Sequence, residues 1–183
     1  MALVYLTTFA NSSLMGTTIR ETPKHTRKNI ETIMERTSTL ALFGNFNERT
    51  QTDYLVVHHT ATPASMFVDA QKIHQWHTGQ GWDAIGYHIV IQRDGTPEVG
   101  RPLKIMGAHV QGFNNRSLGI AMVGGLAADG TAVDDFTEAQ YKTLQFVLIL
   151  LKEIYPGANV VKHKELADTL CNEVNMNKLE DVL

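Results

Sequence analysis

Short β-branched apolar runs alternate along the chain with longer stretches of helical spacing. Residues 54–58 (Tyr-Leu-Val-Val-His) are the first such run and predict a buried strand. Ser65 can cap a helix reaching about Thr78, with Phe67, Ala70, Ile73 and Trp76 or His77 on its inner stripe, until Gly79 and Gly81 stop it. Residues 86–92 predict a second strand, the Asp94-Gly95 pair a hairpin turn, and residues 98–101 the short strand after it. The unbroken apolar run over residues 118–123, closed by Gly124-Gly125, predicts a central strand.

A long helix begins at Thr137. Thr137 and Gln140 have capping-box spacing, and Phe136 and Tyr141 stand where a hydrophobic staple would place them. Tyr141, Leu144, Leu148, Leu151 and Tyr155 mark one stripe, Val147, Leu150 and Ile154 widen it, and Pro156-Gly157 ends it. Residues 159–162 predict a last strand, and the tail from Asn175 a final helical turn or two. Strands interleaved with helices, plus one hairpin, predict an α/β fold with a mixed central β-sheet flanked by helices.

Ahead of this pattern the chain changes character. Ile30, Ile33, Met34 and Thr37 recur at helical spacing, so residues 23–42 predict a helix within an N-terminal extension, residues 1–50. A linker-like stretch, residues 44–52, leads into a main domain over residues 51–183. Six Lys and Arg against four Asp and Glu make the extension slightly basic, leaving ten against fifteen for the rest.

Composition narrows the function classes. With 43% apolar and 19% charged residues, 183 residues suit one globular domain with a short extension. A chain of this size buries roughly 70% of its unfolded surface and needs no disulfide, which a single cysteine could not form internally. A net charge of −3 lacks the basic excess of phosphate-backbone binding, so no direct nucleic-acid partner is expected. The longest apolar run, residues 146–151, falls far short of the roughly 18 residues of a membrane span, and no membrane insertion is expected. No Lys or Arg precedes the apolar part of residues 1–16, so a cleaved secretory signal is not expected either.

Chemistry concentrates in the histidines. His58 and His59 close the first strand, where the chain leaves the sheet and where α/β folds build sites. His163 follows the last strand, and Cys171 lies eight residues beyond it. Two imidazoles and one thiolate would give Zn²⁺ three protein ligands and leave a fourth tetrahedral position for water. A small buried cysteine and scattered histidines are the plainer alternative. His74 and His77, three apart on a helix, suit packing or a solvated face; His88 alternates away from Tyr87 and reads as structural; His25 has no visible partner.

The segments DYLVVHHTATPAS, IHQWHTGQGWDAIGYHIVIQRDGTPEVGR, GAHVQGFNNRSLGIAMVGG, FTEAQYKTL and HKELADTLC, spanning residues 53–171, come in the order and at about the spacing of one family. By these motifs the chain resembles zinc-dependent N-acetylmuramoyl-L-alanine amidases: most closely the small phage lysozymes of amidase type, more distantly the peptidoglycan recognition proteins. The resemblance implies Zn²⁺ as cofactor, with His58, His163 and Cys171 as ligands, and it gives His59 the variable place. Strand alternation agrees, since adjacent residues point to opposite faces. The tyrosine of the GYH motif falls on Tyr87, where a phenol would stabilise the developing oxyanion. Thr169 stands where phage enzymes of this kind carry lysine and many catalytic recognition proteins carry threonine. Asn172 replaces the usual proline after the cysteine. His109 and Asn114 fall in a segment that borders the substrate groove of the family, which makes them expected substrate contacts.

The implied activity is hydrolysis of the amide between N-acetylmuramic acid and L-alanine in peptidoglycan by zinc-activated water, as in a phage-type endolysin. Glu165 is a candidate proton carrier by proximity alone. The alternative is a non-catalytic module that binds peptidoglycan, or a regulator that binds RNA polymerase, as small phage amidases can. A monomer is expected, residing in the cytoplasm of the producing host cell and acting on the cell wall after release.

Overall fold

In the computed structural model, residues 46–171 and 173–179 are described; the helix expected over residues 23–42, His25 and Asn172 lie outside them. The described strands are β1 (Tyr54–His59), β2 (Thr62–Pro63), β3 (Ile89–Ile91), β4 (Pro97–Val99), β5 (Ser117–Met122), β6 (Gly125–Leu126) and β7 (Asn159–Lys162). The helices are α1 (Ala70–Gly79), α2 (Glu138–Ile154) and α3 (His163–Leu166), with 3-10 turns at Asn114–Arg116 and Met176–Leu179. Five strands form one sheet in the order β4-β3-β5-β1-β7, and β2 pairs with β6 beside it. The β3–β5, β5–β1 and β1–β7 pairs are parallel and β3–β4 antiparallel, so the sheet is mixed as expected.

α2 forms where its local signals place it. The Thr137 hydroxyl accepts from the Gln140 amide and Gln140 Oε1 from the Thr137 amide, both at 3.1 Å. The Phe136 and Tyr141 rings meet edge-on at 6.2 Å. Gln140 is fully buried, yet its Nε2 donates to the Ile91 and Val123 carbonyls, so the first turn is tied to the sheet without an orphaned amide. Tyr141, Leu144, Val147, Leu148 and Leu151 then pack on Leu55, Val57, Leu118, Ile120 and Met122. Each large side chain buried this way contributes about 1.5–3 kcal/mol, and Leu148→Ala should cost about 2–5 kcal/mol. Ile154, expected on the buried stripe, is half exposed at the end of the helix.

α1 starts later than the spacing predicted. Asp69, not Ser65, is its N-cap, with Oδ1 accepting from the Lys72 amide at 2.6 Å. Ser65 sits within a turn closed by the Met66 amide on the Pro63 carbonyl, and Phe67, expected on the inner stripe, is 75% exposed ahead of the helix. Asp caps as well as Ser, and Glu98 Oε2 takes the otherwise free Ala70 amide, so the later start leaves fewer unpaired donors.

The expected linker is a packed strip from Phe46 onward. Glu48 bridges to Ile105, the Arg49 amide donates to the Lys104 carbonyl, and the Arg49 guanidinium donates to the Leu103 carbonyl while lying 5.3 Å over the Tyr155 ring. Phe46 lies under the Arg101 guanidinium at 5.2 Å.

The two sheet faces differ in side-chain size, and this decides where a site can form. Leu118, Ile120 and Met122 of β5 face α2 together with Leu55 and Val57 of β1. On the opposite face β5 presents Gly119 and Ala121, which pair with Val56 and His58 of β1. α1 covers part of that face through Ala70 and Ile73 against Val90 and Val123. The small residues leave room for imidazole rings.

Candidate metal centre and active site

Parallel register brings the first two site residues together. β1 and β7 pair with Val57 opposite Lys162, so the next residue along each segment is a histidine: His58 within β1, and His163 at the start of α3. The His58 and His163 rings lie 4.5 Å apart, centroid to centroid. After α3 the chain returns to β1, where the His59 backbone amide donates to Cys171 Sγ at 3.2 Å. Among the described residues, His58, His163 and Cys171 form a group able to hold a metal ion, with one ligand atom from each and all within 4.8 Å of one another.

Tyr87 borders this group, its ring 5.1 Å from that of His58. Burial, with Cys171 nearby, raises its phenol well above the usual value, so the hydroxyl stays a donor. Two α1 histidines hold the approach to Tyr87 through contacts that sequence reasoning missed. His77 Nδ1 accepts from the Gly86 amide at 2.9 Å and His74 Nδ1 from the Ile85 amide at 3.3 Å. Burial pulls His77 down to about 4, which keeps its ring neutral as an acceptor requires. Arg101, also unforeseen, is buried and donates to the Ile85 and Met106 carbonyls. An arginine at the end of the strand predicted over residues 98–101 was the available signal.

Thr169 lies two residues before the cysteine, and its hydroxyl oxygen accepts from the Cys171 amide at 3.2 Å, a bond that does not use the hydroxyl proton. Glu165 uses Oε1 to accept from the Lys162 amide at the start of α3. His59 points away, as alternation required: its ring lies 6.1 Å from Phe136 and its Nδ1 accepts from the Ala61 amide. Asn114 Oδ1 accepts from both the His109 and Val110 amides, which closes the loop on itself. The His109 ring is buried and faces inward, with Nδ1 3.0 Å from His58 Nε2. His88 is structural as expected: Nδ1 accepts from the Gly119 amide, Nε2 meets the Ile105 carbonyl, and burial holds it down to about 3.

Burial sets the protonation of the donors. It lowers His58 well below the usual histidine value, helped by His163, and lowers His163 itself, so both imidazoles are neutral near pH 7. Burial also pushes the Cys171 thiol up to about 11, opposed by the His59 amide.

A family model described as N-acetylmuramoyl-L-alanine amidase matches residues 48–174, which include all three donors and Tyr87. This chain belongs to the N-acetylmuramoyl-L-alanine amidase family. The endolysin of Klebsiella phage KP32 is 41% identical to this amidase over 133 residues, covering 73% of this chain and 88% of the phage protein. The endolysin of Escherichia phage T7 is 39% identical with the same coverage. Among solved structures, the N-acetylmuramoyl-L-alanine amidase LysC from Clostridium intestinale URNW superposes with a TM-score of 0.68 at 28% identity, over 80% of this chain and 93% of that one. Drosophila PGRP-LB shares the fold, with a TM-score of 0.60 at 21% identity over 78% of this chain and 84% of that one. The donor set of this amidase suits zinc: two neutral imidazoles and a sulfur match zinc's ligand preference, and three ligands leave one tetrahedral position open.

Proposed function

We propose that this amidase hydrolyses the amide between the lactyl group of N-acetylmuramic acid and L-alanine in peptidoglycan, with His58, His163 and Cys171 holding Zn²⁺. The observation that carries the proposal is the convergence of these three donors beside a protonated tyrosine. Bound there, Zn²⁺ supplies Lewis acidity that polarises a carbonyl and lets a water lose its proton near neutral pH. His58 and His163 enter the site already neutral, so no histidine proton has to be displaced for either to ligate. The His59 amide and the Thr169 hydroxyl hold Cys171 from two sides, one at its sulfur and one at its backbone amide. Tyr87 donates its hydroxyl to the oxygen that gains charge as the amide carbon becomes tetrahedral, and the hydroxyl proton of Thr169 gives a weaker neutral donor. Synthesis in the cytoplasm of the producing host cell, with action on the wall after release, is part of the same proposal.

The test is digestion of purified peptidoglycan by the zinc-loaded and the chelator-treated protein, with released ends identified by mass. The expected products carry a free L-alanine amine and an intact muramic acid lactyl carboxylate, and chelation abolishes them. Binding to peptidoglycan without cleavage at full zinc content would overturn the proposal in favour of a recognition module.

A further inference from the structure

Behind His58 a chain of hydrogen bonds runs away from the ligand group. Ser117 Oγ donates to the Phe113 carbonyl at 2.8 Å. A carbonyl can only accept, so the single hydroxyl proton of Ser117 is committed there. The same Oγ lies 3.4 Å from His109 Nε2 and can meet it only as an acceptor, which places the proton of a neutral His109 on Nε2. His109 Nδ1 is then a bare acceptor, and it lies 3.0 Å from His58 Nε2. His58 must carry its proton on Nε2. The opposite arrangement would aim a bare His109 Nε2 at a serine oxygen whose proton is already in use.

The position of the His109 ring is built into the chain on both sides. A Cβ on Gly107 would stand 2.5 Å from His109 Cδ2, and one on Gly119 would stand 2.7 Å from His109 Cγ. Both glycines occupy positions where any side chain would displace the ring. Asn114 fixes the backbone of His109 from the loop.

We infer that the chain Phe113–Ser117–His109 selects the tautomer of His58, so that His58 offers Nδ1 as its lone pair to a metal, with His109 acting as a positioning residue instead of a substrate contact. The inference rests on the proposed function in that His58 is taken as a ligand; the tautomer itself does not depend on metal. A ligand histidine whose other nitrogen is held by a fixed acceptor keeps both its ring orientation and its basicity, and losing such a partner commonly weakens metal binding about 10–100-fold.

The experiment uses the full chain with ¹⁵N-labelled histidine. In the metal-free protein, long-range ¹H–¹⁵N correlation should show His58 and His109 both protonated at Nε2. A His58 protonated at Nδ1 would overturn the inference. Zinc affinity is then measured by competition with a chromophoric chelator. His109→Phe, which keeps a planar ring but removes the acceptor, should weaken zinc about 10–100-fold, and His109→Gln, whose amide oxygen can accept from His58, should recover most of that loss. Wild-type affinity in a folded His109→Phe protein would overturn the positioning role. Should His109→Phe fail to fold, Ser117→Ala decides: freeing His109 Nε2 should give a mixed tautomer signal at His58, and an unchanged signal counts against the relay. If the wild-type protein binds no zinc, the proposed function fails, while the metal-free tautomer still decides the hydrogen-bond chain.

Discussion

Tyr87→Phe removes one oxygen and leaves the ring against His58 and His77. The hydroxyl is held protonated because burial raises its pKa above that of a free phenol, so it donates at every working pH. Deleting a donor aimed at a developing oxyanion typically lowers turnover about 100–1,000-fold, or about 2.7–4 kcal/mol. Thr169 can share the charge, which widens the expected range for Tyr87→Phe to roughly 10–1,000-fold, about 1.4–4 kcal/mol. The loss should fall on kcat and spare KM, since the interaction strengthens only as charge appears. Peptidoglycan turnover against pH, at matched zinc content and with the thermal midpoint as a folding control, measures this. Because the phenol does not titrate below its raised value, the variant's profile should keep the wild-type shape at lower height. An unchanged kcat would reduce Tyr87 to a packing residue, and loss of an alkaline limb below pH 10 would show that the phenol is not held protonated.

Metal analysis should find zinc lost from His163→Ala and Cys171→Ser but retained by His59→Ala, whose ring lies on the opposite sheet face. The Cys171 thiol is protonated below about 11 in the metal-free protein, so zinc uptake between pH 7 and 9 should release about one proton and tighten with rising pH, as calorimetry in buffers of different ionisation enthalpy can measure. Zinc affinity independent of pH over that window would contradict sulfur ligation. Thr169→Ala should lower turnover at equal zinc content without reshaping the pH profile, whereas Thr169→Lys adds a titrating ammonium and with it an alkaline limb; full activity of Thr169→Ala at every pH would remove Thr169 from the chemistry. A protein beginning at residue 46 should bind zinc and cleave like the full chain. One beginning at residue 51 loses the Phe46–Arg101 contact and the Arg49 hydrogen bonds and should be about 2–4 kcal/mol less stable, as read by denaturant midpoint. Equal midpoints would mean that residues 46–50 contribute nothing measurable.

Elements whose signals lie within a few residues of one another were legible in the chain itself. The capping box and staple of α2, its apolar stripe, strands β1 and β5, and the 3-10 turn at Met176–Leu179 all follow from spacing, because caps and periodic burial are local. The start of α1 was misplaced because Ser65 and Asp69 are equivalent as local caps, and a distant carboxylate, Glu98, favours the later one. The candidate donor trio was legible through its motifs: the family resemblance favoured His58 over His59, and strand alternation agreed by sending the two rings to opposite faces.

The partners of those residues were not legible. His58 meets His109 across 51 positions, and Cys171 meets the His59 amide across 112. Such pairs depend on which strands lie side by side and in what register. The small residues on one face of β5 leave space for the rings, and β7 beside β1 sets His163 next to His58. Which side chains could serve was therefore written in the sequence by residue type and local spacing. Which of their atoms face one another was decided only by the sheet, because hydrogen bonds and metal ligation require positions held to fractions of an ångström by contacts remote along the chain.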